Sequence, residues 1–309
     1  MNKIFHIILC ILIFQISNAQ QDLFHTMYIH SPSLQNPAYA GMAECLSITA
    51  LHRNQWFSTV DGAPKSIFIN ANSPINKGNV NLGATILSDK LGIVTNNIVA
   101  LDYAYKMKLN KKLKLSVGLK PSLTLYKVNY TDLNIKDEDD LVFKENKNIW
   151  LPNIGAGIYL NSSTYFIGFA IPYIYQNELR KENIPNANEY EFGKQYRHYV
   201  LNTGYLININ SFQKLRLSAQ YKMSKSSKQL DLTSILYIKQ DKVNLGVNYR
   251  TNDSFGLLCG LKFDNGLRTA LAFDITTQKT KKQINNALEI MIGYEFSYNT
   301  SKVIHPRYF

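Results

Sequence analysis

The chain has 309 residues, 45% of them hydrophobic and 18% charged, with twenty Tyr, fifteen Phe, only three Cys and a formal net charge of +12 at pH 7. Beyond residue 19 no apolar run approaches the ~20 residues that a membrane-spanning helix requires, which excludes a helical membrane protein. Three cysteines in this length also exclude a fold that relies on disulfides, and the abundance of Tyr, Phe, Asn, Thr and Ser suits an exported β-protein.

The first nineteen residues stand apart. Lys3 supplies a positive start, Ile4 to Ile16 an apolar core and Ser17-Asn18-Ala19 a small-x-small cleavage site, so a signal peptide is expected over 1–19 with cleavage near Ala19. Cys10 lies inside the apolar core with nothing after it that looks like a lipobox. From Gln20 to Glu44 there is no sustained alternation, and Ser31-Pro32 and Asn36-Pro37 favour an extended segment with turns. Residues 20–44 are therefore expected to form an irregular N-terminal segment, either periplasmic or a plug.

From residue 45 onward the chain alternates. Leu46, Ile48 and Ala50 alternate with Ser47 and Thr49, and a Gly62-Ala63-Pro64 turn leads into a second alternating run from Ser66 to Asn72. The pattern predicts strands over 45–56, 64–73, 79–89, 96–109, 112–126, 151–161, 163–173, 197–209, 213–223, 230–239, 242–251, 254–264, 267–276 and 287–298. In the fifth, Leu113, Leu115, Val117, Leu119, Pro121, Leu123 and Leu125 share one face while Lys114, Ser116, Gly118, Lys120, Ser122 and Thr124 share the other. A soluble β-sandwich also alternates, but its strands typically hold about five or six residues. Strands of about ten suit a bilayer, with lipid on the apolar face and a polar interior.

Connection lengths alternate as well. Short turns at Asn110-Lys111-Lys112, Asn161-Ser162-Ser163, Asn210-Ser211-Phe212, Gln240-Asp241-Lys242 and Asp264-Asn265-Gly266 alternate with longer stretches such as Lys127 to Trp150 and Ile174 to Tyr196. Thr251-Asn252-Asp253 is the short exception among the long connections. The fold expected is all-β: a transmembrane antiparallel β-barrel of about fourteen strands over 45–298, with short periplasmic turns, longer extracellular loops and a C-terminal tail over 299–309. Pro121 conflicts with this locally, because a closed barrel has no edge on which to hide a missing N–H, so a bulge or broken ladder is expected there.

Catalytic and metal-binding constellations are absent from the sequence pattern. The His residues show no metal spacing, no Gly-x-Ser-x-Gly elbow is present, and Asp137-Glu138-Asp139-Asp140 lacks the Gly and the bidentate Glu of a calcium loop. No enzyme activity, cofactor or metal is therefore expected. The basic run Lys279-Thr280-Lys281-Lys282 falls in an expected extracellular loop, where it would meet an anionic lipid surface or an acidic partner and not nucleic acid. Lys106, Lys114, Lys120, Arg216, Lys222, Arg250, Lys262 and Arg268 are expected to point inward with Asp102, Asp274, Glu289 and Glu295. That surplus of cations suits an anion pathway, or a lumen packed with a partner or a plug.

Several ordered motifs resemble one family. Asn36-Pro37-Ala38-Tyr39-Ala40-Gly41, Arg53-Asn54-Gln55-Trp56, Gly62-Ala63-Pro64, Asp89-Lys90-Leu91-Gly92, Asp102-Tyr103-Ala104-Tyr105, Leu151-Pro152-Asn153-Ile154-Gly155-Ala156-Gly157, Arg197-His198-Tyr199 and Pro306-Arg307-Tyr308-Phe309 look like the PorP/SprF family. These are outer-membrane proteins of the Bacteroidetes type IX secretion system. The resemblance implies an integral outer-membrane protein that secretes, docks or anchors large surface proteins bearing a C-terminal sorting domain, such as gliding-motility adhesins. It also implies contact with other type IX secretion components and with outer-membrane lipid. Asn36, Pro37, Tyr39, Gly41, Arg53, Asn54, Gln55, Trp56, Asp102, Pro152, Asn153, Arg197 and His198 become candidate structural or docking residues. The alternative is an outer-membrane channel or transporter of hydrophobic compounds, which requires an open lumen or an apolar ligand path.

Overall fold

Period-two alternation gives each strand one face for lipid and one for the interior, and only a closed sheet satisfies every strand backbone in a bilayer. In a computed structural model, which describes residues 25–56, 62–75, 79–132, 146–179, 181–182, 190–191, 194–225, 227–277 and 286–296, fourteen strands close into an antiparallel barrel. They are β1 (Leu46–Gln55), β2 (Lys65–Ile75), β3 (Val80–Leu91), β4 (Val94–Lys108), β5 (Lys114–Val128), β6 (Lys147–Asn161), β7 (Tyr165–Ile171) and, after a small two-stranded sheet of β8 (Lys181–Glu182) and β9 (Tyr190–Glu191), β10 (Tyr199–Asn208), β11 (Lys214–Met223), β12 (Lys228–Ile238), β13 (Val243–Arg250), β14 (Ser254–Lys262), β15 (Leu267–Thr276) and β16 (Ala287–Phe296). Each barrel strand falls on an expected segment. Closure runs from Leu46↔Phe296 to Gln55↔Ala287, where β1 meets β16. The expected signal peptide, the acidic stretch 137–140, the basic run 279–282 and the tail 299–309 lie outside the described residues.

The two faces separate sharply. Neighbouring Leu101 and Asp102 are 57% and 1% exposed, and Leu217 and Ser218 divide in the same way. Apolar residues therefore face the bilayer and polar ones the lumen. β5 and β6 run further outward than expected, pairing Val128 with Lys147. β7 is shorter, since Pro172, which follows Ile171, has no N–H to continue the ladder.

At Pro121 the β4·β5 ladder skips from Ala100↔Ser122 to Tyr103↔Leu119 and resumes in the same register, while Pro121 stays paired with Ile154 on β6. The conflict is resolved by a local break without a bulge. The missing N–H costs ladder bonds on one side only.

The short connections are side-chain-stapled turns. Asn110 Oδ1 accepts from the N–H groups of Lys112 and Leu113, Asn210 Oδ1 from Phe212, and Asn265 Oδ1 from Leu267, where Gly266 takes φ +92. With the long connections at the opposite end, these turns mark the periplasmic side. A cysteine placed at Glu178, on the long-loop side, should react with an impermeant thiol reagent on intact cells in a Cys259→Ser background. One placed at Asn265 should not, and the reverse labelling would invert the orientation.

The barrel interior is filled by the chain's own N-terminal segment. Three 3-10 turns, Thr26–His30, Pro32–Leu34 and Pro37–Tyr39, lie within it, and Met27, Tyr28, Ile29, Ala38 and Met42 form an apolar core with Phe68, Tyr159, Phe166 and Ile235 of the wall. The Thr26 N–H meets Glu289, across the sheet from Arg53 near the outer end of β1, while Glu44 meets Lys114 beside a short turn. The segment thus descends from the long-loop end of the lumen to the short-turn end, where β1 begins.

Candidate docking site in the occupied lumen

The two X-Pro pairs shape the segment. Pro32 and Pro37 open their turns with φ already fixed, and the Asn36 side chain caps the last turn by accepting from the Ala38 N–H at 3.0 Å. Asn36 Nδ2 also donates to the Ile158 carbonyl of β6 at 3.0 Å. Gly41 takes φ +68 and donates its N–H to Asn72 Oδ1 at 3.1 Å; a Cβ there would lie 2.1 Å from Asn81 Oδ1. The motif from Asn36 to Gly41 is therefore a fitted piece of the lumen.

The wall is cut to receive it. Gly118 of β5 and Gly157 of β6 are cross-strand partners. A Cβ on Gly118 would lie 2.4 Å from Ala38 N and 2.5 Å from Pro37 C, and one on Gly157 would lie 2.1 Å from Asn36 Oδ1. On β7, a Cβ on Gly168 would lie 3.1 Å from Asn36 Nδ2. Tyr39 packs edge-on against Tyr159 with ring centroids 5.4 Å apart.

At the long-loop end the segment is tied by charge. Arg53 of β1 pairs with Asp274 of β15 at 2.9 Å and with Glu289 of β16, and both Glu289 oxygens accept segment N–H groups, from Thr26 and Met27 at 2.8 Å each. Thr26 Oγ1 donates to Asp274 at 2.7 Å. Arg250 of β13 pairs with Asp231 of β12 at 3.1 Å and Asp253 at 3.2 Å, and donates to Thr26 Oγ1 at 3.3 Å. Arg53, Arg250, Asp231, Asp274 and Glu289 are all buried. Charges this deep persist only when mutually paired and hydrogen-bonded.

Five more of the inward cations are answered too. Lys120 lies 3.3 Å from Asp102 and donates to the carbonyls of Ser33 at 2.6 Å and Leu34 at 2.9 Å. Lys114 pairs with Glu44 at 2.9 Å, Lys262 and Arg268 with Glu295 at 3.4 and 3.5 Å, and Arg216 lies over the Phe166 ring at 5.3 Å. Carboxylates, an aromatic face and segment carbonyls thus absorb most of the cationic surplus that the sequence places inside.

The candidate residues divide into three groups. Asn36, Pro37, Tyr39, Gly41 and Asp102 meet at the segment. Arg53 anchors the charged cluster, while its neighbours are strand-end residues: Asn54 pairs with Lys65 and Leu288, the Gln55 N–H donates to Pro64 O, and Trp56, at φ +55, donates its N–H to Asn286 O. Pro152, Asn153 and Arg197 hold the segment between β7 and β10 against the outer part of β6. Asn153 exchanges two hydrogen bonds with the Tyr175 backbone, Arg197 Nε donates to Ile174 O, and Pro152 O accepts from Asn177. Asn153 thereby stands in for the strand partner that β6 loses where β7 stops. His198 is half-buried just before β10.

Sequence reasoning passed over Gly118 and Gly157 as a contact surface, and Asp231 as a cluster member. A visible signal for the glycines was their shared place on the polar face of neighbouring strands, where a barrel wall has no local need for glycine. Among the described residues there is no group of three or more His, Cys, Asp or Glu arranged to hold a metal ion.

The family described as type IX secretion system membrane protein PorP/SprF matches residues 17–294. Among curated proteins no relative matches. Of the solved structures, the CymD monoaromatic hydrocarbon channel is similar at TM-score 0.53 and 8% identity, over 89% of this chain and 94% of that one. A FadL homologue of Pseudomonas aeruginosa matches at TM-score 0.49 and 12% identity, over 85% and 93%. The Acinetobacter baumannii outer membrane protein Omp33 matches at 0.46 and 6%, over 82% and 98%. At such identities the likeness is one of fold: an outer-membrane β-barrel.

Proposed function

We propose that this chain, which belongs to the PorP/SprF family of type IX secretion system membrane proteins, docks or anchors large secreted surface proteins at the outer membrane. The cargo is a sorting-domain-bearing surface protein of the gliding-adhesin kind, and other type IX secretion components are the further partners. The family match over 17–294 carries this reading. The lumen supports it. A pore for small solutes needs a continuous water path, whereas here Thr26 to Met42 fill the interior and tie to the wall at both ends.

Deleting the gene should strip a large adhesin from the cell surface while leaving uptake of small solutes unchanged. Shotgun labelling of surface proteins and uptake of radiolabelled nutrients measure the two arms. Normal surface adhesins together with a specific uptake defect would overturn the docking reading and favour the channel or hydrophobic-compound transporter.

A further inference from the structure

The wall meets residues 25–44 at main chain and side chain alike. Glu289 receives two successive N–H groups, Lys120 grips two successive carbonyls, Asn72 takes the Gly41 N–H, and Gly118 makes room for the backbone of Pro37 and Ala38. Side-chain contacts add to these: Tyr28 with Thr233 at 3.0 Å, Gln35 with Gln220 at 2.7 Å, Ser33 with Asn70 at 3.0 Å, Thr26 with Asp274 at 2.7 Å, and the Asn36 amide with the Ile158 carbonyl at 3.0 Å. Recognition of this kind reads the path of a peptide together with the polar side chains along it.

The same wall carries polar atoms that the segment leaves unmet. Ser116 Oγ, Ser122 Oγ, Asn202 Oδ1, Ser218 Oγ, Asn244 Oδ1 and Asn248 Oδ1 are buried with no hydrogen-bond partner among the described residues, and so are both ring nitrogens of His25. An unmet buried polar atom is costly, and water or a more polar chain in the same place would relieve it.

We propose that the lumen is a peptide-binding site whose resident ligand, residues 25–44, is displaced by an incoming peptide of similar turn geometry. The ligand runs with its N-terminal end at the long-loop mouth, presents two adjacent N–H groups to Glu289 and two adjacent carbonyls to Lys120, and carries a small residue against Gly118. A peptide arriving from the cell surface in that sense leads with its C-terminal end. The site rests on the lumen geometry alone; that its physiological occupant belongs to a secreted partner rests on the docking reading above.

The test needs a barrel that has already folded around its own segment. A protease site inserted after the exposed Glu44 lets the purified full chain be cut at the short-turn end, and a fluorescent synthetic peptide of residues 25–44 serves as probe. Cut protein should take up the probe saturably, one per barrel, with a scrambled peptide at least roughly tenfold weaker. Lys120→Met should weaken uptake by roughly tenfold, the loss expected for a charged hydrogen-bonding group. Uncut protein should take up far less, because tethering keeps the resident segment at high effective concentration. Cut protein that retains its barrel on heat-modifiability gels yet exchanges nothing over a day overturns the proposal, and so does equal uptake of the scrambled peptide. Either failure would leave the adhesin phenotype of the deletion strain intact, so the two readings separate.

Discussion

Gly118→Phe is expected to open the barrel, raising single-channel conductance in planar bilayers by roughly tenfold or more, since a fourteen-strand wall without its filling encloses a water path. The atoms in the way are backbone: Ala38 N at 2.4 Å, Pro37 C at 2.5 Å and Ala38 Cα at 2.7 Å from the position of even a Cβ. Backbone held in a proline-started turn has no rotamer to change, so the segment must leave as a unit. The wall itself should survive, because the β5 ladder on both sides of Gly118, to Ala104 and to Gly157, uses main-chain groups that the substitution keeps. Val117→Phe, one residue away on the lipid face, supplies the control and should stay closed. Limited proteolysis gives an independent readout, since an expelled segment becomes a substrate. A Gly118→Phe barrel that stays closed, with residues 25–44 still protected, would refute the fitted-segment account.

The barrel was legible because its signals are local. Alternation along β5, the Leu217 and Ser218 division, and the asparagine-stapled turns each depend on residues within a few positions of one another, and the bilayer imposes a strand length that few other environments ask for. The conflict at Pro121 was legible for the same reason, though the choice between a bulge and a simple break depended on how β4 tolerated it. Segment contacts depend on pairs the chain brings together only on closure. Glu289 meets Thr26 across 263 positions, and Lys120 meets Ser33 across 87. No period or spacing reports such a pair. What the sequence did carry was the chemistry of each partner: inward carboxylates and cations in surplus, glycines on a polar face, and a proline-punctuated segment without alternation. Their assignment to one another required the register.

Arg53→Ala is expected to destabilise the folded barrel by about 3–5 kcal/mol, the cost of breaking a buried ion pair from one side. Arg53 touches both Asp274 and Glu289, which leaves Arg250, 3.8 Å from Asp274, as the remaining cation of the cluster. Glu289, fully buried, would keep only the N–H groups of Thr26 and Met27 as donors. The readout is the urea midpoint of the purified barrel, followed by its heat-modifiable gel mobility. Because the cost comes from the charge left behind and not from the lost contact, adding Glu289→Gln to Arg53→Ala should recover part of it: the amide removes the unpaired charge while its carbonyl still accepts from one segment N–H. Glu289→Gln alone should cost less than Arg53→Ala, since Arg53 keeps Asp274. If the double variant is as unstable as the sum of the two single ones, Arg53 and Glu289 are not coupled, and the segment is held by its apolar packing against the wall instead.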